Sequence, residues 1–267
     1  MPVIEIFTLF VAAAVAGMVN AVAGGGTIIT FPALLFFLTD AKVPNAGKVA
    51  NATSTLALMV GMAGSLFGYR KHLASVRIWL WRFVPVSIVG GLVGSILLTR
   101  TDDKVFANMV PFLILFATLL FLAQGAFKKF SGFNNSEPAT PPHHRHQAVW
   151  IAILVQVGVS IYGGYFGAGI GILMLASLGF IGLSNIHEMN SLKTILAALI
   201  NVVASAWFIA SGLIDWPRAI IMTCGALGGY YLGSHLAQRI PQHQVRRLIN
   251  GIGLSISAWM FYKQFAK

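Results

Sequence analysis

The stretch VNAVAGGGTIITFP, residues 19–32, sets the fold problem. An apolar run from residue 3 precedes it, and a second apolar run follows it to residue 39. Between them stand three consecutive glycines, Gly24, Gly25 and Gly26. Glycine disfavours a helix interior by roughly 1 kcal/mol relative to alanine. In lipid, every backbone group freed by a break must be satisfied by protein or by water in a cavity. The glycines therefore either end a helix at the bilayer surface or break one inside the protein, beside something that binds.

Composition decides the class. The chain is 57% hydrophobic and only 9% charged, with mean hydropathy +0.79. A soluble domain carries about 25% charged residues, so the expected fold is an all-α polytopic membrane protein. The net charge of +11 would suit a nucleic acid. Most basic residues, however, lie in short loops between apolar runs, where the positive-inside bias and anionic headgroups account for them. Lipid is the expected partner and nucleic acid is not. The single cysteine, Cys224, allows no intrachain disulfide. The opening MPVIEIF has Glu5 and no basic residue, so the first apolar run is read as a retained span despite a cleavage-like Ala21-Val22-Ala23.

Apolar runs fall at 3–22, 27–39, 48–69, 78–99, 105–124, 148–166, 170–182, 187–211, 216–237 and 245–264. Eight approach the roughly 20 residues needed to cross the hydrocarbon. Residues 27–39 and 170–182 are too short, and each follows a glycine-rich break, which is the pattern of discontinuous transporter helices. About ten helical segments are expected, two of them short and broken or re-entrant.

The chain also repeats itself. AGGGTIITFPALLFF is answered by FGAGIGILMLASLGF, ANATSTLALMVGMAGSLF by MNSLKTILAALINVVASAWF, and GGLVGSILL by GGYYLGSHLA. Two membrane repeats, 1–125 and 148–267, are expected around a polar linker, 126–147. His143, His144 and His146 in that linker read as a solvated basic cluster, since no cysteine or carboxylate cluster accompanies them. With ten crossings, the side holding the linker carries eleven of the 18 Lys and Arg residues, and the positive-inside rule makes it cytoplasmic. Five segments per half then invert the second repeat and leave both termini outside. Repeat-equivalent Gly90-xxx-Gly94 and Gly229-xxx-Gly233 read as helix-packing motifs. Trp79, Trp81, Trp150, Trp207 and Trp216 lie near segment ends, as an aromatic belt would place them.

Two features carry a binding expectation. A helix starting after a glycine turn presents free N–H groups and partial positive charge, which suit an anion. Gly24, Gly25, Gly26 and Thr27 form this feature in the first half, with Thr30 a further hydroxyl, and Gly167 and Gly169 in the second. The other is a polar face on the third segment of each half. Asn190, Lys193/Thr194, Ala197 and Asn201 share one helical face, and its counterpart carries Asn51, Ser54/Thr55, Leu58 and Met62. Lys193 lies about two turns into an apolar helix, which is costly unless it faces protein or water. Ser54 holds the corresponding position. Asn51 and Asn190 have a structural alternative, capping or joining helices. Glu188 and His187 are candidate proton carriers or plain polar residues at a helix start. No ATP-binding motif, metal site or cofactor site is expected. An enzyme would need a nucleophile–base pair or metal ligands within the bilayer; Cys224 and His235 lack such partners in the sequence.

The paired glycine breaks, NSLKTILAALINVVASAWFIASGLIDW and GALGGYYLGSHLAQRI, resemble the TauE/SafE family of sulfite exporters. The resemblance covers both repeats. It departs from the family pattern at the second glycine run, where Ala168 and Ile170 interrupt and Leu175 stands at an expected proline. It implies a secondary transporter in the bacterial cytoplasmic membrane, exporting sulfite or a small organosulfur anion. The anion would be held by Lys193, by the Gly24–Gly26 and Gly167–Gly169 backbones, and by Thr27, Ser54, Thr55, Asn190, Thr194 and Asn201. An anion channel, or a carrier of other small organic anions, is the alternative. A homodimer is one assembly option.

Overall fold

The computed structural model describes residues 1–22, 25–69, 73–130, 142–179, 186–236 and 242–265. Ten helices make up the described chain: α1 (Val3–Val22), α2 (Thr27–Asp40), α3 (Ala46–Tyr69), α4 (Leu73–Arg100), α5 (Asp103–Phe130), α6 (Pro142–Tyr165), α7 (Ile170–Gly179), α8 (Ile186–Ala210), α9 (Trp216–Leu236) and α10 (Gln242–Phe265). No strand occurs among the described residues. The short segments are α2, of 14 residues, and α7, of 10. The other eight have between 20 and 28. Among the described residues, Val3–Ala21, Val76–Arg100, Asp103–Ala123 and Glu188–Ala210 are long and apolar enough to cross a membrane. Of the segment read as a linker, residues 131–141 lie outside the described residues; α5 and α6 extend into its two ends.

The radial pattern is that of a protein dissolved in lipid. Val3, Phe7, Leu154, Trp150 and Ile220 are exposed, whereas Thr30, Asn51, Thr53, Ser54 and Gln156 are buried. In water that arrangement would leave apolar faces uncovered; in a bilayer the hydrocarbon covers them. Trp81, Trp150 and Trp216 are exposed as a belt requires. Trp79 departs from that expectation: it is buried and stacks on Phe83 at 6.2 Å. It lies on the inward face of α4, so its position near the segment start does not put it at the lipid interface.

Helix pairing follows the repeat. α1 packs along α9, and its counterpart α6 packs along α4; α3 lies on α9 as α8 lies on α4. The self-paired contacts are α3 with α8 and α5 with α10. Such an exchange is compatible with two halves related by a pseudo-two-fold axis. Glycines allow the closest pairs. On α9, a side chain at Gly225, Gly229 or Gly233 would strike the backbone of Phe10, Ala14 or Met18 on α1. On α4, Gly90 and Gly94 face Ser160 and the Ile161 carbonyl of α6 in the same way. Both small-residue motifs are therefore packing surfaces, as expected. Volumes are exchanged at the next contact: Gly61 on α3 accommodates Tyr230 on α9, while Gly91 on α4 accommodates Ile200 on α8.

Gly94→Val should therefore destabilise the protein, because its Cβ meets backbone that cannot swing aside. Gly158 on the same helix pair has no atom within 4 Å of a Cβ, so Gly158→Ala should not destabilise the protein, and helix propensity favours it by up to about 1 kcal/mol. Thermal unfolding of the two purified variants compares them; equal midpoints would contradict the packing account.

Candidate functional site

The two breaks are built differently and converge. At the first, Gly25 has φ of 92°, a left-handed backbone that glycine adopts without strain. Asn20, near the end of α1, holds the turn: its Oδ1 accepts the Gly26 N–H at 2.7 Å, and its Nδ2 donates to the Tyr230 hydroxyl of α9 at 2.9 Å. At the second break, Gly167 and Gly169 both have φ of 78°. The Phe166 N–H donates to the Tyr162 carbonyl, the Tyr162 hydroxyl donates to the Ala168 carbonyl at 2.7 Å, and the Ile172 N–H donates to the Gly169 carbonyl. Asn51 of α3 closes the end of α6 by donating from Nδ2 to the Tyr165 carbonyl at 3.0 Å. Among the described residues, backbone groups freed at both breaks are thus met inside the bundle, as lipid demands.

Phe121 of α5 joins the breaks. A Cβ at Gly25 would land on its ring, and a Cβ at Gly169 would lie 3.7 Å from its Cε2. Phe31 of α2 meets Phe166 edge to face at 5.3 Å. Gly25 and Gly169 are therefore neighbours of one buried aromatic cluster, contributed by both halves.

Lys193 adjoins the second break. Its stem lies over the start of α7: a Cβ at Gly171 would sit 3.4 Å from Lys193 Cδ. Lys193 is half-buried and forms no ion pair among the described residues. The carboxylates with partners are engaged elsewhere: Glu5 and Asp215 hold Arg218, and Asp103 holds Lys48. Asn190 and Asn201 are half-buried and Thr194 is buried on the same helix, none with a side-chain hydrogen bond among the described residues. Ser54 is fully buried, and its Oγ has no partner among the described residues. Thr55 offers less than the sequence suggested, because its hydroxyl proton goes to the Asn51 carbonyl at 2.8 Å. Thr30 likewise turns back to the Gly26 carbonyl, at 3.4 Å. Thr27 is half-buried, and Gly24 lies outside the described residues, as do the side chains of His143, His144, His146, His187 and His235.

Several working residues escaped the sequence reading. Asn20 and Tyr230 contact each other across most of the chain, so no local pattern could pair them. Phe121 looks like any apolar helix residue. Asp215, within the GLIDW stretch, caps α9 by accepting the Arg218 N–H and pairs with the Arg218 guanidinium at 2.6 Å. Its spacing, three residues before Arg218 at a helix start, is a readable capping signal.

Gly25→Ala should cost more stability than Gly167→Ala. Both lose about 1–3 kcal/mol to left-handed backbone, but only Gly25 would also drive a methyl into the Phe121 ring. Thermal midpoints of the two variants test the order, and a more stable Gly25→Ala would contradict it.

A family model described as "Sulfite exporter TauE/SafE" matches residues 9–260. A Haemophilus influenzae protein, described as "Probable membrane transporter protein", is 29% identical over 262 residues, covering 96% of this chain and 94% of that protein. The "Probable membrane transporter protein YfcA" of Escherichia coli K12 is 24% identical, covering 95% of this chain and 88% of its own length. The "Probable membrane transporter protein YunE" of Bacillus subtilis is 22% identical, covering 96% and 97%. No solved structure matches the chain.

Proposed function

The chain belongs to the sulfite exporter TauE/SafE family of membrane transporters, and from that premise we propose that it is a secondary transporter exporting sulfite or a small sulfonate across the bacterial cytoplasmic membrane. One observation carries the reading. Lys193 is a half-buried cation beside a broken helix, with no counter-ion among the described residues. A cation withdrawn from water without a partner is costly, and a small anion is the natural occupant. The start of α7 adds the positive end of a helix dipole on the Gly171 side. Ser54, Asn190, Thr194 and Asn201 would supply hydrogen bonds, with the Gly25–Gly26 and Gly167–Gly169 backbones nearby.

The repeat makes the site asymmetric. Where the second half has Lys193, the first has Ser54, which brings no charge. One fixed cation suits one small oxyanion. Alternating access would come from rocking of the halves about this point, as in other inverted-repeat carriers. The inverted topology itself is testable: reporter fusions after Pro138 should be cytoplasmic and fusions at Lys267 external. A cytoplasmic C-terminus would contradict ten crossings.

In proteoliposomes loaded with sulfite, sulfoacetate, taurine, sulfate, thiosulfate or carboxylates, the wild type should show saturable flux of the sulfur anions. Lys193→Ala should weaken substrate binding ten- to a hundred-fold, the equivalent of about 1.5–3 kcal/mol for a charge-assisted hydrogen bond. Lys193→Arg should recover part of it, since charge remains but the donor geometry changes. Unsaturating conductance would favour the channel alternative, and unchanged binding in Lys193→Ala would contradict the assigned role.

A further inference from the structure

A second buried lysine lies outside the arrangement around Lys193. Lys48, in the first turn of α3, is buried, and its Nζ lies 2.6 Å from Asp103 Oδ1 at the start of α5. The pair is lopsided: the lysine side chain is 9% exposed and the aspartate 47%. A carboxylate in contact with water holds its partner weakly and is screened by salt. The buried ammonium, in contrast, needs a counter-charge whatever Asp103 does.

The surroundings lead inward. α3 meets α5 along a short seam, where Gly47 faces the Phe106 ring and Phe106 packs edge-on against Tyr165 at 5.8 Å. One turn deeper on α3, Asn51 binds the Tyr165 carbonyl that ends α6. Lys48, Asn51 and Thr55 recur at helical spacing and form one stripe, with Ser54 at its edge. Two atoms there, Asn51 Oδ1 and Ser54 Oγ, are buried and have no partner among the described residues. Buried polar atoms left unpaired in a protein are uncommon, and these two lie on one helix face, less than two turns from the buried cation.

We propose that Lys48 is a second anion contact at the external end of the α3 stripe, and that Asp103 is the carboxylate a departing small oxyanion displaces. The inference rests on the anion-carrier reading. With no substrate present, Asp103 satisfies Lys48 and closes the α3–α5 seam. An arriving oxyanion takes over the ammonium, Asp103 returns to water, and the seam is left without its ionic tie. The anion reaches Lys48 past Ser54, the repeat counterpart of Lys193, less than two helical turns away. Lys48 and Lys193 would thus serve successive stations on one route. The second half keeps no lysine at the position matching Lys48, which is His187.

Sulfite flux into proteoliposomes tests this with Asp103→Asn, Lys48→Met and their double variant. Asp103→Asn should lower the apparent KM about three- to tenfold, because it removes the competitor. Lys48→Met should raise it by about tenfold or more, as loss of a charged contact does. The double variant should match Lys48→Met, since Asp103 acts only through Lys48. An ion pair that merely ties α3 to α5 predicts a higher KM or lost activity in Asp103→Asn, and that result overturns the proposal. Should the wild type carry no sulfite, the functional reading fails first, and Lys48 is tested separately by reagent charge. In Thr55→Cys on a Cys224→Ser background, an anionic thiosulfonate should react faster than a cationic one, and Lys48→Met should abolish that preference. An unreactive thiol, or a preference that survives Lys48→Met, overturns the proposal independently of substrate.

Discussion

Everything in this bundle depends on one constraint: a helix broken within a membrane must find partners for its own backbone. The protein meets the constraint twice, with different side chains. At the first break an asparagine from the preceding helix accepts the Gly26 N–H and is itself anchored to Tyr230. At the second, Tyr162 and Asn51 donate to the Ala168 and Tyr165 carbonyls. Each solution draws a residue from the other half, α9 for the first break and α3 for the second. The breaks therefore stabilise the association of the repeats as well as interrupting them. Phe121, wedged against Gly25 and Gly169, then sets their separation.

Close approach elsewhere follows from the same economy. Lipid gives packed helices no hydrophobic incentive to associate, so van der Waals fit and hydrogen bonds must supply it. The glycines of α4 and α9 let α6 and α1 come into backbone contact. The exchange of Gly61 and Tyr230 for Ile200 and Gly91 keeps the volume across each interface while reversing which helix provides it. The pairing of helices is compatible with pseudo-symmetric halves, while the individual residues at matching contacts differ.

That difference explains what the sequence could and could not disclose. The ten helices were legible because apolar runs, glycine interruptions and an internal repeat are local signals. The packing role of Gly90, Gly94, Gly229 and Gly233 was legible from spacing alone. Lys193 stood out because charge is rare in such a chain. Asn20, Phe121 and Tyr230 were invisible because their importance lies in contacts between distant segments. The sequence shows the hydroxyls of Thr55 and Thr30 but not where they point: in a buried helix each donates to the carbonyl one turn back. Trp79 was misread for a related reason, since nearness to a segment end says nothing about which face a side chain occupies.

Asymmetry gives the fold its proposed chemistry. Lys193 is left without a protein counter-ion among the described residues, and its stem rests on Gly171, where the short helix begins. In the first half, Ser54 holds the repeat-equivalent position without the charge. The central claim is that an anion occupies the space beside Lys193. The most direct measurement is an experimental structure of the protein with selenite, the heavier congener of sulfite, located by its anomalous signal. The account predicts a selenium peak within hydrogen-bonding reach of Lys193 Nζ, on the α7 side, that vanishes in Lys193→Ala. A peak elsewhere in the bundle that persists in the variant would contradict it.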